Sequence, residues 1–306
     1  MKYIDIAGTG VKASNIVMGC MRLASLSKGE AEVLIRTAME EGVNFFDHAD
    51  IYGGGECETL FAQACGMAPS LREKMIIQSK CGIRNGFFDF SKEHIISSVD
   101  GILGRLNTEY LDFLLLHRPD SLMEPSEVAE AFQTLEKAGK VRHFGVSNQN
   151  PMQIELLQSA VTQRLAVNQL QFSMVHTPMI DSGIAANMQN SQAADRTGHI
   201  LEYSQLKKMT IQAWSPFQQG TFGGPFLGDR EKYGKLNDII DRIAEQYGVT
   251  NTAIAVAWIT RHPANIQVIL GTTNAQRMRD GCSGSELPLT RQEWYELYAA
   301  AGNIIP

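Results

Sequence analysis

The sequence predicts a single α/β domain over residues 1–306, a (β/α)8 TIM barrel with an N-terminal β-hairpin closing its bottom. Three observations carry that expectation. Eight short apolar runs alternate with amphipathic stretches along nearly the whole chain. The runs are apolar at successive positions rather than at every second one, as parallel strands buried on both faces require. A length of 306 residues suits eight βα units in one closed sheet, and no change of composition marks a linker.

Residues 2–13 precede the first unit and read as the hairpin. Within them GTGVKA (8–13) matches the Gly-x-Gly-x-x-Gly/Ala dinucleotide fingerprint. That fingerprint must open a helix, whereas SNIVMGCM follows with a strand pattern, so a turn is expected instead. The strands are expected at NIVMG (15–19), NFFDHA (44–49), MIIQSKC (75–81), LDFLLLH (111–117), VRHFGVS (141–147), LAVNQLQF (165–172), TIQAWS (210–215) and NIQVILG (265–271). Between them, Ala31, Leu34, Ile35, Ala38 and Met39 share one helical face, as do Ile95, Val99, Ile102, Leu103 and Leu106, and again Val128, Ala131, Phe132 and Leu135. Ser27 with Glu30 and Thr290 with Glu293 have capping-box spacing. Pro125 and Pro151 suit first helical turns, and Gly42 and Gly139 sit where helices stop. Residues 216–236, rich in glycine and turn formers, are expected to form a long loop at the seventh strand.

Composition narrows the function. With 33 acids, 27 bases and a net charge of −6, the chain has no long basic run. That argues against nucleic acid or an anionic membrane surface as the main partner. The five cysteines (Cys20, Cys57, Cys65, Cys81, Cys282) are scattered without a CxxC pair, so neither a disulfide framework nor a zinc site is expected. MKYIDIAGTG has no apolar signal core, and no stretch approaches ~18 uninterrupted apolar residues. A soluble, cytoplasmic protein with reduced thiols is expected.

Polar residues gather where the strands end, which is where a barrel of this kind carries its chemistry. The second strand ends in Asp47, with Tyr52 beyond it. The third ends Gln78-Ser79-Lys80, and the fourth in His117, followed by Arg118, Pro119 and Asp120. The fifth ends Ser147-Asn148, the sixth carries Asn168, Gln169 and Gln171, and the seventh ends Trp214-Ser215-Pro216. A lone lysine at a strand end is usually solvated, and a lone histidine is usually structural. Their convergence on one rim is what points to chemistry. An acid, a phenol, an ammonium and an imidazole together suit proton donation to a carbonyl oxygen. A free tyrosine, with a pKa near ~10, gives up its proton reluctantly, and a neighbouring lysine lowers that value. The aspartate holds the lysine charged and aimed, and the histidine can fix the carbonyl oxygen beside the phenol. Other chemistries fit less well. His117 has no second histidine at ligand spacing, and His48 with Asp50 is a thin constellation for a metal. There is no Gly-x-Ser-x-Gly elbow and no Tyr-x-x-x-Lys pair.

These residues resemble the aldo-keto reductase superfamily over nearly the whole chain. Asp47-His48-Ala49-Asp50-Ile51-Tyr52 looks like the family's Asp-x-Ala-x-x-Tyr segment. Lys80 and His117 correspond to its lysine and histidine, and GKVRHFGVSN (139–148) to its Gly-Val-Ser-Asn strand. The wording DHADIYGG, IIQSKCGI and LLLHRPD is similar to that of the YdhF-type bacterial oxidoreductases. The resemblance implies an NAD(P)H-dependent carbonyl reductase with Asp47, Tyr52, Lys80 and His117 as its catalytic tetrad. It implies that Ser147, Asn148 and Gln169 bind the nicotinamide carboxamide and that Trp214 replaces the stacking aromatic. Ser215 through Gly220, including Pro216, Phe217 and Gln219, would wrap the pyrophosphate. Thr272, Thr273, Asn274 and Arg277 would face the adenosine half. Many members carry a lysine where this chain has Gly271, so Arg277 is left as the evident cation for a 2′-phosphate. NADPH is favoured, with NADH use more open than usual, and a monomer is expected. No role is assigned to His48, which stands where threonine is frequent. The chain ends shortly after its last helical pattern, so an open site with broad substrate tolerance is expected. A nicotinamide-sensing subunit is the second reading, and the direct start of the chain at its hairpin favours the enzyme. A metal-dependent barrel hydrolase or lyase is the third.

Overall fold

The structure is a computed structural model, and it describes every residue except Thr221 and Phe222. Its strands are β1 (Tyr3–Asp5), β2 (Lys12–Ser14), β3 (Ile16–Gly19), β4 (Phe45–Asp47), β5 (Ile76–Cys81), β6 (Leu111–Leu116), β7 (Val141–Ser147), β8 (Leu165–Gln171), β9 (Thr210–Trp214) and β10 (Gln267–Leu270). Its helices are α1 (Lys28–Glu40), α2 (Glu56–Cys65), α3 (Pro69–Arg72), α4 (Lys92–Leu106), α5 (Pro125–Lys137), α6 (Pro151–Gln158), α7 (Pro178–Ile184), α8 (Ile200–Lys207), α9 (Arg230–Tyr247), α10 (Asn251–Thr260), α11 (Ala275–Ser283) and α12 (Arg291–Ala300). Strands β3 to β10 pair in parallel and in order, and β10 returns to β3, so the expected (β/α)8 barrel closes.

The anticipated helix faces are the buried ones: Ile95, Val99, Ile102, Leu103 and Leu106 of α4, and Val128, Ala131, Phe132 and Leu135 of α5, all face the sheet. Both expected capping boxes form. Pro125 and Pro151 each occupy a first helical position. The hairpin pairs Tyr3 with Ser14 and Asp5 with Lys12, and GTGVKA lies in its turn and second strand rather than opening a helix. Its Ile4, Ile6, Ala7 and Ala13 pack with Val17, Phe45, Phe113, Val167 and Ile269 from inside the barrel, so the hairpin plugs the floor.

The long loop expected over 216–236 is shorter than that. Asp229 accepts from the Lys232 backbone N–H and starts α9 at Arg230, so the last residues of that stretch are helical despite Tyr233 and Gly234. Of the part that precedes, Thr221 and Phe222 lie outside the described residues, Gln218 and Pro225 form an isolated bridge, and Gln219 bonds Asp229 and Lys232.

Candidate active site

The second barrel strand delivers two of the four expected catalytic groups. Asp47 is the last residue of β4. His48 and Asp50 prolong the pairing through their N–H groups to the carbonyls of Gln78 and Lys80. Tyr52 then begins a 3-10 turn through Gly53, Gly54 and Gly55, whose φ angles of 58°, 62° and 96° lie in the left-handed region where a side chain is costly. At Gly55 space is a second reason, because a Cβ would fall 2.7 Å from the Arg105 side chain. The run of three glycines is thus the device that turns the chain from the phenol into α2.

Lys80 arrives from β5 and is wholly buried. Its three ammonium protons are accounted for: Nζ donates to Asp47 Oδ2 at 2.8 Å, to the His48 carbonyl at 2.7 Å and to Tyr52 Oη at 3.1 Å. Burial by itself would depress Lys80, but the Asp47 carboxylate and then Tyr52 outweigh it and hold the ammonium above its ordinary pKa. The other carboxylate oxygen, Asp47 Oδ1, accepts from Gln78 Nε2 at 2.6 Å and Gln169 Nε2 at 2.9 Å. His117 follows β6, and its ring meets that of Tyr52 edge-on with centroids 5.9 Å apart. Its Nδ1 is buried without a partner among the described residues. Burial, then Lys80 and Arg118, push the imidazole well below its usual range, so it is neutral.

The expected net effect on Tyr52 is reversed. Lys80 does lower the phenol, but burial is the larger influence and leaves it above the ordinary tyrosine value. The sequence placed a cation beside the phenol, and what it could not show was how little water reaches either.

The rim of β7 to β9 gathers the residues expected to hold the nicotinamide. Ser147 Oγ and the Asn148 backbone N–H both donate to the Gln169 carbonyl, each at 3.0 Å. Asn148 Nδ2 donates to Ser147 Oγ at 2.7 Å, and Trp214 Nε1 to Asn148 Oδ1 at 3.2 Å. Asn148 and Ser215 have φ of 57° and 50°, a strained backbone of the kind that clusters at binding sites. Gln169 faces two ways: its Nε2 also donates to Gln212 at 3.1 Å, which leaves Oε1 as its group for a carboxamide. Farther round, Asn274 accepts from the Arg277 N–H and caps α11, and the Arg277 side chain is exposed. A Cβ at Gly271 would meet open space. A set of rim amides and hydroxyls, a glycine-bordered path and a helix N-terminus with an arginine suits a dinucleotide carrying phosphates.

The sequence assigned no role to three features of the structure. Arg118 stands 5.6 Å over the Trp214 ring, half-buried, and its guanidinium has no hydrogen bond or ion pair among the described residues. Burial lowers its pKa. The glutamines that bond Asp47 lie on strands far apart in sequence, which no local pattern links. His48 is wholly buried with both ring nitrogens unpartnered among the described residues, against Phe61 at 4.6 Å, and burial, then Lys80, push it down to about 3. It is a neutral core residue. No cluster of three or more metal-ligand side chains occurs among the described residues, and no described helix is long and apolar enough to cross a membrane.

Comparison with known proteins shows the family. The sequence profile of the aldo/keto reductase family matches residues 15–301. The oxidoreductase YdhF of Escherichia coli is 37% identical over 98% of both chains. A 6-dehydroglucose reductase of Agrobacterium fabrum is 35% identical over 95% of both. Among solved structures, the glycerol dehydrogenase of Gluconobacter oxydans superposes with a TM-score of 0.79, covering 99% of this chain and 96% of its own, at 22% identity. The chain therefore belongs to the aldo/keto reductase family and is an NAD(P)H-dependent oxidoreductase.

Proposed function

We propose that the protein reduces the carbonyl group of a small aldehyde or ketone to an alcohol, with NADPH as hydride donor and Tyr52 as general acid. The observation that carries this reading is the buried chain from Asp47 through Lys80 to the Tyr52 phenol. When bound, the nicotinamide supplies the hydride that adds to the carbonyl carbon. The chain's own residues do the rest. The neutral His117 ring offers an N–H to the substrate oxygen, and Tyr52 gives that oxygen its proton. The phenolate left behind faces the Lys80 ammonium 3.1 Å away, and regains a proton from solvent. Because burial keeps the phenol above its ordinary pKa, the acid stays loaded throughout the neutral range, and carbonyl reduction is expected to hold its rate into alkaline pH.

Ser147, Asn148 and the Oε1 of Gln169 would hold the carboxamide, with Trp214 against the nicotinamide ring. Ser215, Pro216, Phe217, Gln219 and Gly220 would border the pyrophosphate, and Gly271, Thr272, Thr273, Asn274 and Arg277 the adenosine phosphates. Arg277, exposed beside a helix N-terminus, favours NADPH over NADH. For the substrate, the Arg118 guanidinium over the Trp214 ring, unpaired among the described residues, calls for oxygen-rich molecules. Two relatives are named 6-dehydroglucose reductase, from Agrobacterium fabrum and, at 32% identity, from Novosphingobium aromaticivorans. A hydroxylated, sugar-like aldehyde fits both observations. With its five cysteines free, the protein suits the cytoplasm. Tyr52→Phe tests the reading: turnover on a hydroxyaldehyde panel should fall by about 10²–10⁴ while NADPH still quenches Trp214 fluorescence. Full turnover in that variant would overturn it.

A further inference from the structure

Four glutamines cross the inside of the barrel at one level. In the sheet register Asp47 lies opposite Gln78, Gln169 opposite Gln212, and Gln212 opposite Gln267. All five side chains are buried. A barrel layer is ordinarily filled by branched apolar side chains, and each buried amide group costs stability unless it is bonded. Here the bonds run in one direction. Gln267 Nε2 donates to the Ser14 backbone carbonyl at 2.8 Å, and Gln267 Oε1 accepts from Gln212 Nε2 at 2.9 Å. Gln212 Oε1 accepts from Gln78 Nε2 at 2.8 Å and Gln169 Nε2 at 3.1 Å, and those two amides end on Asp47 Oδ1.

The sense of this chain is forced. A backbone carbonyl can only accept, so Gln267 must present its nitrogen to Ser14 and its oxygen to Gln212. Each later amide is oriented by the one before it. At the far end, two N–H donors meet one carboxylate oxygen, which leaves the other for Lys80. If an amide were reversed, it would set an oxygen against the carboxylate.

We propose that Gln212 and Gln267, which bond none of the four reacting side chains, are positioning residues: they orient Gln78 and Gln169 so that the Asp47 carboxylate is locked in the rotamer that aims Lys80 at Tyr52. This inference rests on the reading of Tyr52 as the acid. Its test uses Gln212→Met and Gln267→Met, which keep volume and remove the amides. The Tyr52 ionisation is read as the alkaline absorbance difference between each protein and its Tyr52→Phe counterpart, and turnover is read at saturating NADPH. With the carboxylate unlocked, Lys80 is less well aimed, so Tyr52 should titrate at higher pH in Gln212→Met and turnover should fall by about tenfold or more. In an Asp47→Asn background the same substitution should move the Tyr52 titration no further, because the chain acts through that carboxylate. An equal shift in both backgrounds, or a folded Gln212→Met with unchanged Tyr52 titration, would overturn the proposal. Gln267→Met, one bond farther from Asp47, is read in the same way if Gln212→Met does not fold. A failure of the underlying reading shows separately, as turnover retained in Tyr52→Phe.

Discussion

The two halves of the site are built differently. On the β4 to β6 side, every proton of Lys80 is committed, Asp47 is bonded through both oxygens, and the surroundings are dry. On the β7 to α11 side of the rim the polar groups bond mainly to one another, Arg277 is exposed, and Arg118 has no partner among the described residues. The contrast separates two tasks. The proton-handling half must have one geometry and gains nothing from motion, so its order is installed at folding. The half that receives a cofactor and a substrate keeps the Arg118 and Arg277 guanidinium groups in reserve, because groups already satisfied would have to be broken free before they could bind.

Substitutions in the first half should therefore change turnover and stability together, and those in the second should change affinity alone. The largest expected effect is from Lys80→Met. It removes the cation from a buried carboxylate, so turnover should fall by about 10³ or more and unfolding stability by about 3–5 kcal/mol, read by steady-state rates and chemical denaturation. A Lys80→Met protein as stable as the parent would break the comparison. Next is His48, whose folded pKa of about 3 lies far below its unfolded value. The unfolded chain takes up a proton there that the folded chain refuses, so this group's contribution is present above the unfolded pKa and is lost as pH falls. Between pH 7 and pH 4 the parent should lose about 3 kcal/mol through this group alone, and denaturation of His48→Leu across that range should lack the loss. The Asp50 carboxyl, raised to about 6 by burial and then by Glu58, has the opposite sign. Its ionisation costs stability as pH rises from the unfolded carboxylate value through 6. Asp50→Asn should therefore stabilise the protein by about 1–2 kcal/mol at pH 7 and by nothing near pH 3. The smallest effect belongs to the open half. Arg277→Ala should weaken NADPH by about tenfold, with NADH affinity and thermal midpoint unchanged. Equal losses for both cofactors would mean that the side chain does not meet the 2′-phosphate.

The barrel was legible because its cause is local. Runs such as LDFLLL can be buried on both faces only in a covered parallel sheet, and Ser27 with Glu30 announces a helix start whatever surrounds it. Asp47, Tyr52, Lys80 and His117 were legible because each stands at a strand end or just past it. The direction of the Tyr52 shift was not, since it depends on how much water packing removes, and neighbours in sequence do not report that. Nor were the bonds from Gln78 and Gln169 to Asp47, which join β4 to β5 and β8 across the barrel. Only the end of the stretch 216–236 departs from the expected loop: its glycines and turn formers outweighed one aspartate, yet it is Asp229 that starts the helix at Arg230.

The amide chain through the barrel starts from the carbonyl of Ser14, and that atom belongs to the main chain. Any residue placed at position 14 would bring the same acceptor. Mutational drift therefore has no way to reverse the polarity at its source, and over many generations it can erode the arrangement only by replacing a glutamine or by unseating the hairpin that carries the carbonyl.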